Sequence, residues 1–533
     1  MSRILSVPAG RRDFLRGVSL AGAAAALAPA APPAAPAPAA SALAPAPAAS
    51  ASGEGATVLR RVTLIDGTGA PPRPGVTIVI IGERITWTGP GHEAPRPRSA
   101  RVVDLNGKVV IPGLWDMHAH GSLQEKIAPP LYVVNGVTGI REMMGLPGHH
   151  ALRARIDRGE VLGPRMVIGS GLIDGPVSLL GPLPVKVGTE AEARQAVRDA
   201  EAGGADFLKI YSYLPRDLLP ALADEAAKLG LPVDGHLPYL VPMEEAARLG
   251  QRSIEHLTGL TLATSSREPE YRGRLESTPI TDPFAWYAMA RDLERRAAGS
   301  YDPAKARRLY AELIRAGTWH TPTLSVLEVF SQPIDAHTGD PRLKYIPAAD
   351  RRQWLTTLKA AAPDTPEEIA RERRFFRQLL TLTGRLHRAR AGLLGGTDSY
   401  SPFVFPGFSA HDELSLLVRA GLSPMAALQA MTRDAARFLG RAATTGTVAP
   451  GKLADLVVLD ADPLADIRNV RRIHAVMTRG RYLGPRERER ILTEVEKAAG
   501  NPAVIPAAGN SSAGNPSAGH PAAQAAPAAC ACR

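Results

Sequence analysis

His118 and His120 stand one residue apart at the end of the apolar run from Val109 to Met117. Side chains alternate along a β-strand, so residues two apart leave it on the same face. Two imidazoles presented in this way at a strand end can hold one metal ion. Further along, Lys209 sits inside the apolar segment Phe207-Leu208-Lys209-Ile210. An ammonium buried there needs a partner or a chemical change. His236 closes Val233-Asp234-Gly235, His256 closes Ser253-Ile254-Glu255, and Asp398 closes Gly395-Gly396-Thr397. Each of these residues has an ordinary structural role open to it. A strand-end histidine can be a hydrogen-bonded core residue, Lys209 can reach water along its stem, and Asp398 can cap a turn. Their recurrence at the ends of successive apolar segments argues instead for one metal centre with nitrogen and oxygen ligands. Zinc is the default ion for such a set, while iron, cobalt and manganese also fit it. Tyr211 and Tyr213, just beyond Lys209, are candidates for substrate binding, and so is His320 at the turn into another apolar segment.

Short apolar segments alternating with helical stretches must position these groups. They lie at Val109–Met117, Gly136–Met143, Met166–Ile173, Phe207–Tyr211, Leu231–Gly235, Ser253–Glu255, His320–Leu324 and Leu393–Gly396. That rhythm predicts an α/β fold with a parallel sheet closed into a (β/α)8 TIM-type barrel, whose active residues gather at the C-terminal strand ends. The stretches after Leu257 and after Leu324 exceed ordinary loops and carry helical charge patterns, which predicts inserted helices over the barrel mouth. Strand-rich sequence flanks the barrel on both sides and predicts one small β-sandwich domain built from both. The expected division is an export signal over 1–30, a linker over 31–55, and sandwich segments over 56–110 and 441–485. The barrel spans 111–440, and a helical, then Ala/Pro-rich tail spans 486–533. Arg141 and Glu142 read as a structural salt bridge, His411 as a packing residue, and His149 and His150 as exposed loop residues.

Lys and Arg number 63 against 52 Asp and Glu, a formal charge of +11. The basic residues are interleaved with acids, as in Arg291-Asp292-Leu293-Glu294-Arg295-Arg296, rather than gathered with aromatics. This is the pattern of solvated helix faces, and no nucleic-acid partner is expected. Arg11-Arg12-Asp13-Phe14-Leu15 leads into a short run of small apolar residues, which resembles a twin-arginine export signal. Transient contact with that export machinery and a periplasmic or secreted destination follow as expectations. The remaining partner is a small-molecule substrate, and homo-oligomerisation stays open. Both cysteines, Cys530 and Cys532, fall in the tail, so thiolates contribute neither ligands nor a nucleophile to the body.

The chain resembles the metal-dependent amidohydrolase superfamily, in its imidazolonepropionase-like and prolidase-like branch. The resemblance rests on Pro112-Gly113-Leu114-Trp115-Asp116-Met117-His118-Ala119-His120, the Lys209 segment, His236, Ile254-Glu255-His256, Gly396-Thr397-Asp398 and the closing Gly446-Thr447-Val448-Ala449-Pro450-Gly451. It implies two divalent metal ions. By that pattern His118, His120 and Asp398 hold one, His236 and His256 hold the other, and Lys209, converted by carbon dioxide to a carbamate, bridges them. It further implies hydrolysis of a carbon–nitrogen bond in an amide, cyclic amide or dipeptide-like substrate, with Asp398 acting as base and then acid. A deaminase or a phosphotriester or lactone hydrolase on the same scaffold is the alternative, since fold does not fix chemistry. A non-catalytic binding protein is the reading that an intact ligand set argues against.

Overall fold

The computed structural model describes residues 55–501. The arginine pair, most of the Ala/Pro-rich linker and the cysteine-bearing tail lie outside them. Eight parallel strands form the barrel sheet in chain order: β1 (Leu114–Ala119), β2 (Val137–Glu142), β3 (Arg165–Asp174), β4 (Phe207–Ile210), β5 (Val233–Gly235), β6 (Gln251–Glu255), β7 (Trp319–Thr321) and β8 (Gly392–Leu393). Closure is made beyond β8. Met117 N–H donates to Gly395 O at 3.0 Å, Asp398 N–H donates to His118 O at 2.8 Å, and Ala119 bridges to Ser399. The last strand is short because Gly395 to Asp398 runs on against β1 and carries Asp398 to the mouth.

The run Val109–Met117 is not one strand, as its unbroken apolar character suggested, but two. Val109–Pro112 pairs antiparallel with Leu456–Leu459, and β1 begins only at Leu114. Gly113 makes the transfer. Its N–H donates to Asp455 O at 2.8 Å, and a Cβ there would meet Thr138 Oγ1 at 2.1 Å. Val109–Pro112 therefore lies in a second, mixed sheet of eight strands. That sheet runs from Arg481–Leu483 through Leu456–Leu459 and Ala56–Leu64 to Arg84–Pro90, and so unites both flanks of the chain. Alternation divides its side chains. Val109, Ile111, Val457 and Leu459 join the barrel's main core, while Val110, Leu456 and Val458 join Leu59, Ile78 and Ile80 in the small domain's own core.

The long segments after β6 and β7 are helical. The first holds the helices Leu260–Ala263, Glu268–Ser277, Pro283–Ala298 and Pro303–Ala316; the second holds Leu324–Phe330, Ala348–Ala361 and Pro366–Arg388. Their starts are written locally. Asp282 and Asp302 each accept from two backbone N–H groups ahead of a proline, and Thr365 with Glu368 forms a capping box. The Pro283–Ala298 helix leans Trp286 on Tyr213 and Tyr239, which follow β4 and β5. On the opposite side the Ala348–Ala361 helix packs Trp354 against Tyr400, and Asp350 accepts from the Tyr400 hydroxyl at 2.7 Å. No helix among the described residues is long and apolar enough to cross a membrane.

Candidate active site

Donors from β1, β5, β6 and the segment after β8 converge at the C-terminal end of the barrel. Asp398 Oδ1 lies 3.3 Å from Nε2 of both His118 and His120. The His256 ring centroid is 4.6 Å from that of His118 and 4.6 Å from that of His236. Ligand atoms of His118, His256 and Asp398 all fall within 4.8 Å of one another, a spacing that suits a single cation. This trio straddles the two ligand sets that the resemblance implies, so the two expected halves share one space.

Backbone conformation aims several of these groups. Glu255 and His256 are consecutive, yet both serve the site, because His256 takes a left-handed backbone with φ of 60° that breaks strand alternation. Asp398 has φ of 63°, also left-handed. Residues held in this region cost free energy and persist where the surroundings enforce them, most often at functional sites. Asp116 fixes the Asp398 turn from below by accepting from Thr397 N–H at 2.9 Å and Thr397 Oγ1 at 2.6 Å. Burial pushes the Asp116 carboxyl up to about 7.

The far side of each imidazole is also held. His118 Nδ1 faces Glu255 Oε2 at 2.8 Å, and His120 Nδ1 faces Glu142 Oε1 at 3.4 Å. His236 Nδ1 meets Ser212 Oγ at 2.8 Å, and His256 Nδ1 meets Thr323 Oγ1 at 2.7 Å. Thr323 gives its own proton to Pro322 O, so its oxygen accepts from His256. A carboxylate or accepting hydroxyl at Nδ1 places the proton there and leaves Nε2 with its lone pair. The two carboxylates are themselves anchored. Burial alone would raise Glu255, but Arg141 and Lys209 hold it below its ordinary range. Against the same burial, His149 and His120 hold Glu142 low.

Arg141 is fully buried at the centre of the barrel. It donates to Met117 O at 2.7 Å, Asp234 Oδ2 at 2.9 Å, Ser253 Oγ at 3.0 Å, Glu255 Oε1 at 2.8 Å and Thr321 Oγ1 at 3.2 Å. It makes the expected structural salt bridges, with Asp234 and Glu255, and ties five strands together beneath the site. His149 is buried, not exposed: its Nδ1 accepts from Leu146 N–H at 3.0 Å and its Nε2 lies 3.5 Å from Glu142.

Lys209 Nζ is buried with no hydrogen-bond partner among the described residues. Gly235 beside it has φ of 132°, and a Cβ there would come within 3.1 Å of Lys209 Cδ and 2.3 Å of Ile210 O. Glycine thus makes the room that Lys209 occupies. A buried lysine nitrogen that faces nitrogen and oxygen donors without a hydrogen-bond partner is an expensive arrangement. The residues fit divalent metal.

The three substrate candidates part company. The Tyr211 ring packs 4.2 Å from His236, at the edge of the donor cluster. Tyr213 turns to the inserted helix and donates from its hydroxyl to Pro283 O at 2.6 Å. On β7, Thr321 points inward to Arg141, so His320 one residue earlier points outward, between Ile254 and Leu393. Burial pushes its imidazole down to about 4, which keeps it neutral.

A model of the amidohydrolase family matches residues 109–483, most of the chain. The chain belongs to the amidohydrolase family. Members of this family generally bind divalent metal, and His118, His256 and Asp398 form a cluster spaced to hold one. Among curated relatives, an adenine deaminase from Rubrobacter xylanophilus is 22% identical over 429 residues, covering 77% of this chain. The chain spans about half, 55%, of that relative's length. Among solved structures, a bottromycin amidohydrolase is 26% identical at a TM-score of 0.65, covering 83% of this chain and 90% of its own. A putative prolidase from Bifidobacterium longum is 25% identical at a TM-score of 0.59, covering 83% and 99%.

Proposed function

We propose that this amidohydrolase cleaves the carbon–nitrogen bond of an amide, cyclic amide or dipeptide-like substrate, with prolidase-like or acyl-amino-acid hydrolysis as its sharpest form. The carrying observation is the set of four imidazoles, each held at Nδ1, gathered with Asp398 around a buried Lys209. His118, His120, His236, His256 and Asp398 would hold divalent metal, zinc by donor type, and Lys209, as its carbamate, would add an anionic oxygen ligand. Metal bound there supplies a Lewis acid for the scissile carbonyl and lowers the pKa of a water enough for attack near neutral pH.

The protein's own groups do the rest. Asp398 Oδ1, 3.3 Å from two imidazoles, takes the proton of the attacking water and passes it to the leaving nitrogen. Ser401 donates to Asp398 Oδ2 at 3.1 Å and keeps the carboxylate oriented through both transfers. Tyr211, against His236, flanks the substrate, and the aromatic helix Pro283–Ala298 shields the mouth from water. The names of the bottromycin amidohydrolase and the putative prolidase support amide cleavage, while the adenine deaminase supports the alternative of ammonia release.

Incubating metal-replete enzyme with N-acyl amino acids, Xaa-Pro dipeptides, cyclic ureides and aminopurines separates the two. Paired release of an amine and a carboxylate is the expected product pattern. Ammonia as the sole nitrogenous product would replace this reading with deamination. The Arg11-Arg12 segment supports export as a further part of the proposal. Detection of the chain in periplasmic or culture fractions, and its loss from them on Arg11→Lys with Arg12→Lys, tests it.

A further inference from the structure

His120 lies just beyond the strand that carries it. β1 ends at Ala119, whose O accepts from Met143 N–H at 2.9 Å, and His120 follows. Gly121 comes next with a left-handed φ of 76°, so the chain turns away directly after the imidazole. The His120 backbone is held from the other end of the barrel sheet and from the first helix. Its N–H donates to Ser399 O, and its own O accepts from the Tyr132 hydroxyl at 3.3 Å. Tyr132 is fully buried on the helix Ala128–Val134, between β1 and β2. Its phenol oxygen also lies 2.5 Å from Ser399 Oγ. One assignment uses both hydroxyl protons: Ser399 Oγ donates to the phenol oxygen, and the phenol donates to His120 O. Ser399 is the residue after Asp398, and its N–H donates to Thr397 Oγ1 at 3.0 Å. The turn that carries Asp398 is thus gripped at Thr397 by Asp116 and at Ser399 by Tyr132.

We infer that Tyr132 is a positioning residue, which sets the spacing of His120 and Asp398 by joining the backbone of one to the neighbour of the other. It supplies no ligand atom itself. His120 follows the first barrel strand and Asp398 follows the last, so no local turn fixes their separation. The two hydroxyls make the link at the seam where the barrel closes, and there Asp398 Oδ1 stands 3.3 Å from His120 Nε2. Tyr132 and Ser399 are both buried, so deleting either hydroxyl leaves the other's polar atom short of a partner, away from water that could replace it. The loss then falls on the spacing of the two donors. This inference rests on the metal-site reading and extends it to a residue outside the donor set.

Competition of the full chain with a chromophoric chelator for cobalt(II), with the visible absorption of the bound ion recorded, tests it in Tyr132→Phe, Ser399→Ala and the double variant. Each single variant keeps every donor atom of the site. Cobalt(II) affinity is expected to fall by about tenfold or more in each, with a shifted absorption band. The double variant is expected to bind no more weakly than the weaker single one, because both changes break the same link. The inference is overturned if either single variant keeps the parental affinity and band, whatever its unfolding midpoint, or if the two losses multiply in the double variant. A parent chain that binds no cobalt(II) overturns the metal-site reading and this inference together, whereas parental binding that survives both substitutions overturns this inference alone.

Discussion

At the scale of single residues, the second nitrogen of each histidine decides whether the donor cluster can work. A ring whose Nδ1 proton is placed by Glu255, Glu142 or Thr323 presents Nε2 without first rotating or changing tautomer, and Ser212 fixes the orientation of His236. Replacing Glu142 by Gln leaves the barrel's packing but removes the anion that faces both His120 and His149. Competition against a chromophoric chelator is expected to show about 10- to 100-fold weaker metal binding. An unchanged affinity would remove Glu142 from the site. These partners were hard to see in the sequence, because hydroxyls and carboxylates are common and the pairs are remote in the chain. Glu255 had one signal, its place directly before His256, but its service to His118 depends on the left-handed turn at His256.

At the scale of elements, the barrel is braced from within by one cation. Arg141 on β2 holds Asp234 on β5 and Glu255 on β6, so its loss takes a buried cation from two interior carboxylates, leaving Asp234 to Arg252 at 2.8 Å and Glu255 to His118 Nδ1 at 2.8 Å. Arg141→Met is expected to destabilise the chain by about 3–5 kcal/mol in urea unfolding, whereas a surface ion pair contributes about 0–1 kcal/mol. A loss below 1 kcal/mol would show that the interior relaxes around it. The cover over the mouth is lighter. Tyr213→Phe deletes one hydroxyl bond to Pro283 and should loosen the Pro283–Ala298 helix by about 1 kcal/mol. Faster amide hydrogen exchange in that helix, with KM altered more than kcat, is the expected readout. Exchange unchanged from the parent would uncouple Tyr213 from the cover. The alternation of apolar and helical segments made the barrel readable from sequence. The break at Gly113 was not, because Val109 to Met117 is apolar throughout and only the pairing with Leu456–Leu459 divides it.

At the scale of the whole molecule, buried titratable groups set opposing pH slopes. Burial first, then Arg471, pushes His411 down to about 4, and burial does the same to His320. Both are neutral when folded and take up protons on unfolding, so their contribution is lost as pH falls from about 6.5 toward 4. Glu413 is the reverse case: burial pushes it up to about 8, although it accepts from Leu324 N–H at 3.0 Å and Ser325 N–H at 2.7 Å. Its proton is held in the folded state and released on unfolding, so stability falls as pH climbs from about 4.3 through 8. Between about pH 6.5 and 8 Glu413 acts without the two histidines. Thermal unfolding across that window should show a declining Tm in the parent chain and a flatter profile in Glu413→Gln. Parallel profiles would contradict the assignment.

The family and its metal dependence were legible because strand ends announce themselves as apolar runs, and His118, Lys209, His236, His256 and Asp398 each stand at one. Burial and side-chain direction were not, which is why His149 lies inside and His320 faces the helices. The most direct test of the metal centre is elemental analysis of the purified full chain beside its Lys209→Met variant. Two divalent ions per parent chain, falling to one or fewer in the variant, are predicted. A parent chain without metal, or a variant that retains the full complement, would contradict the account.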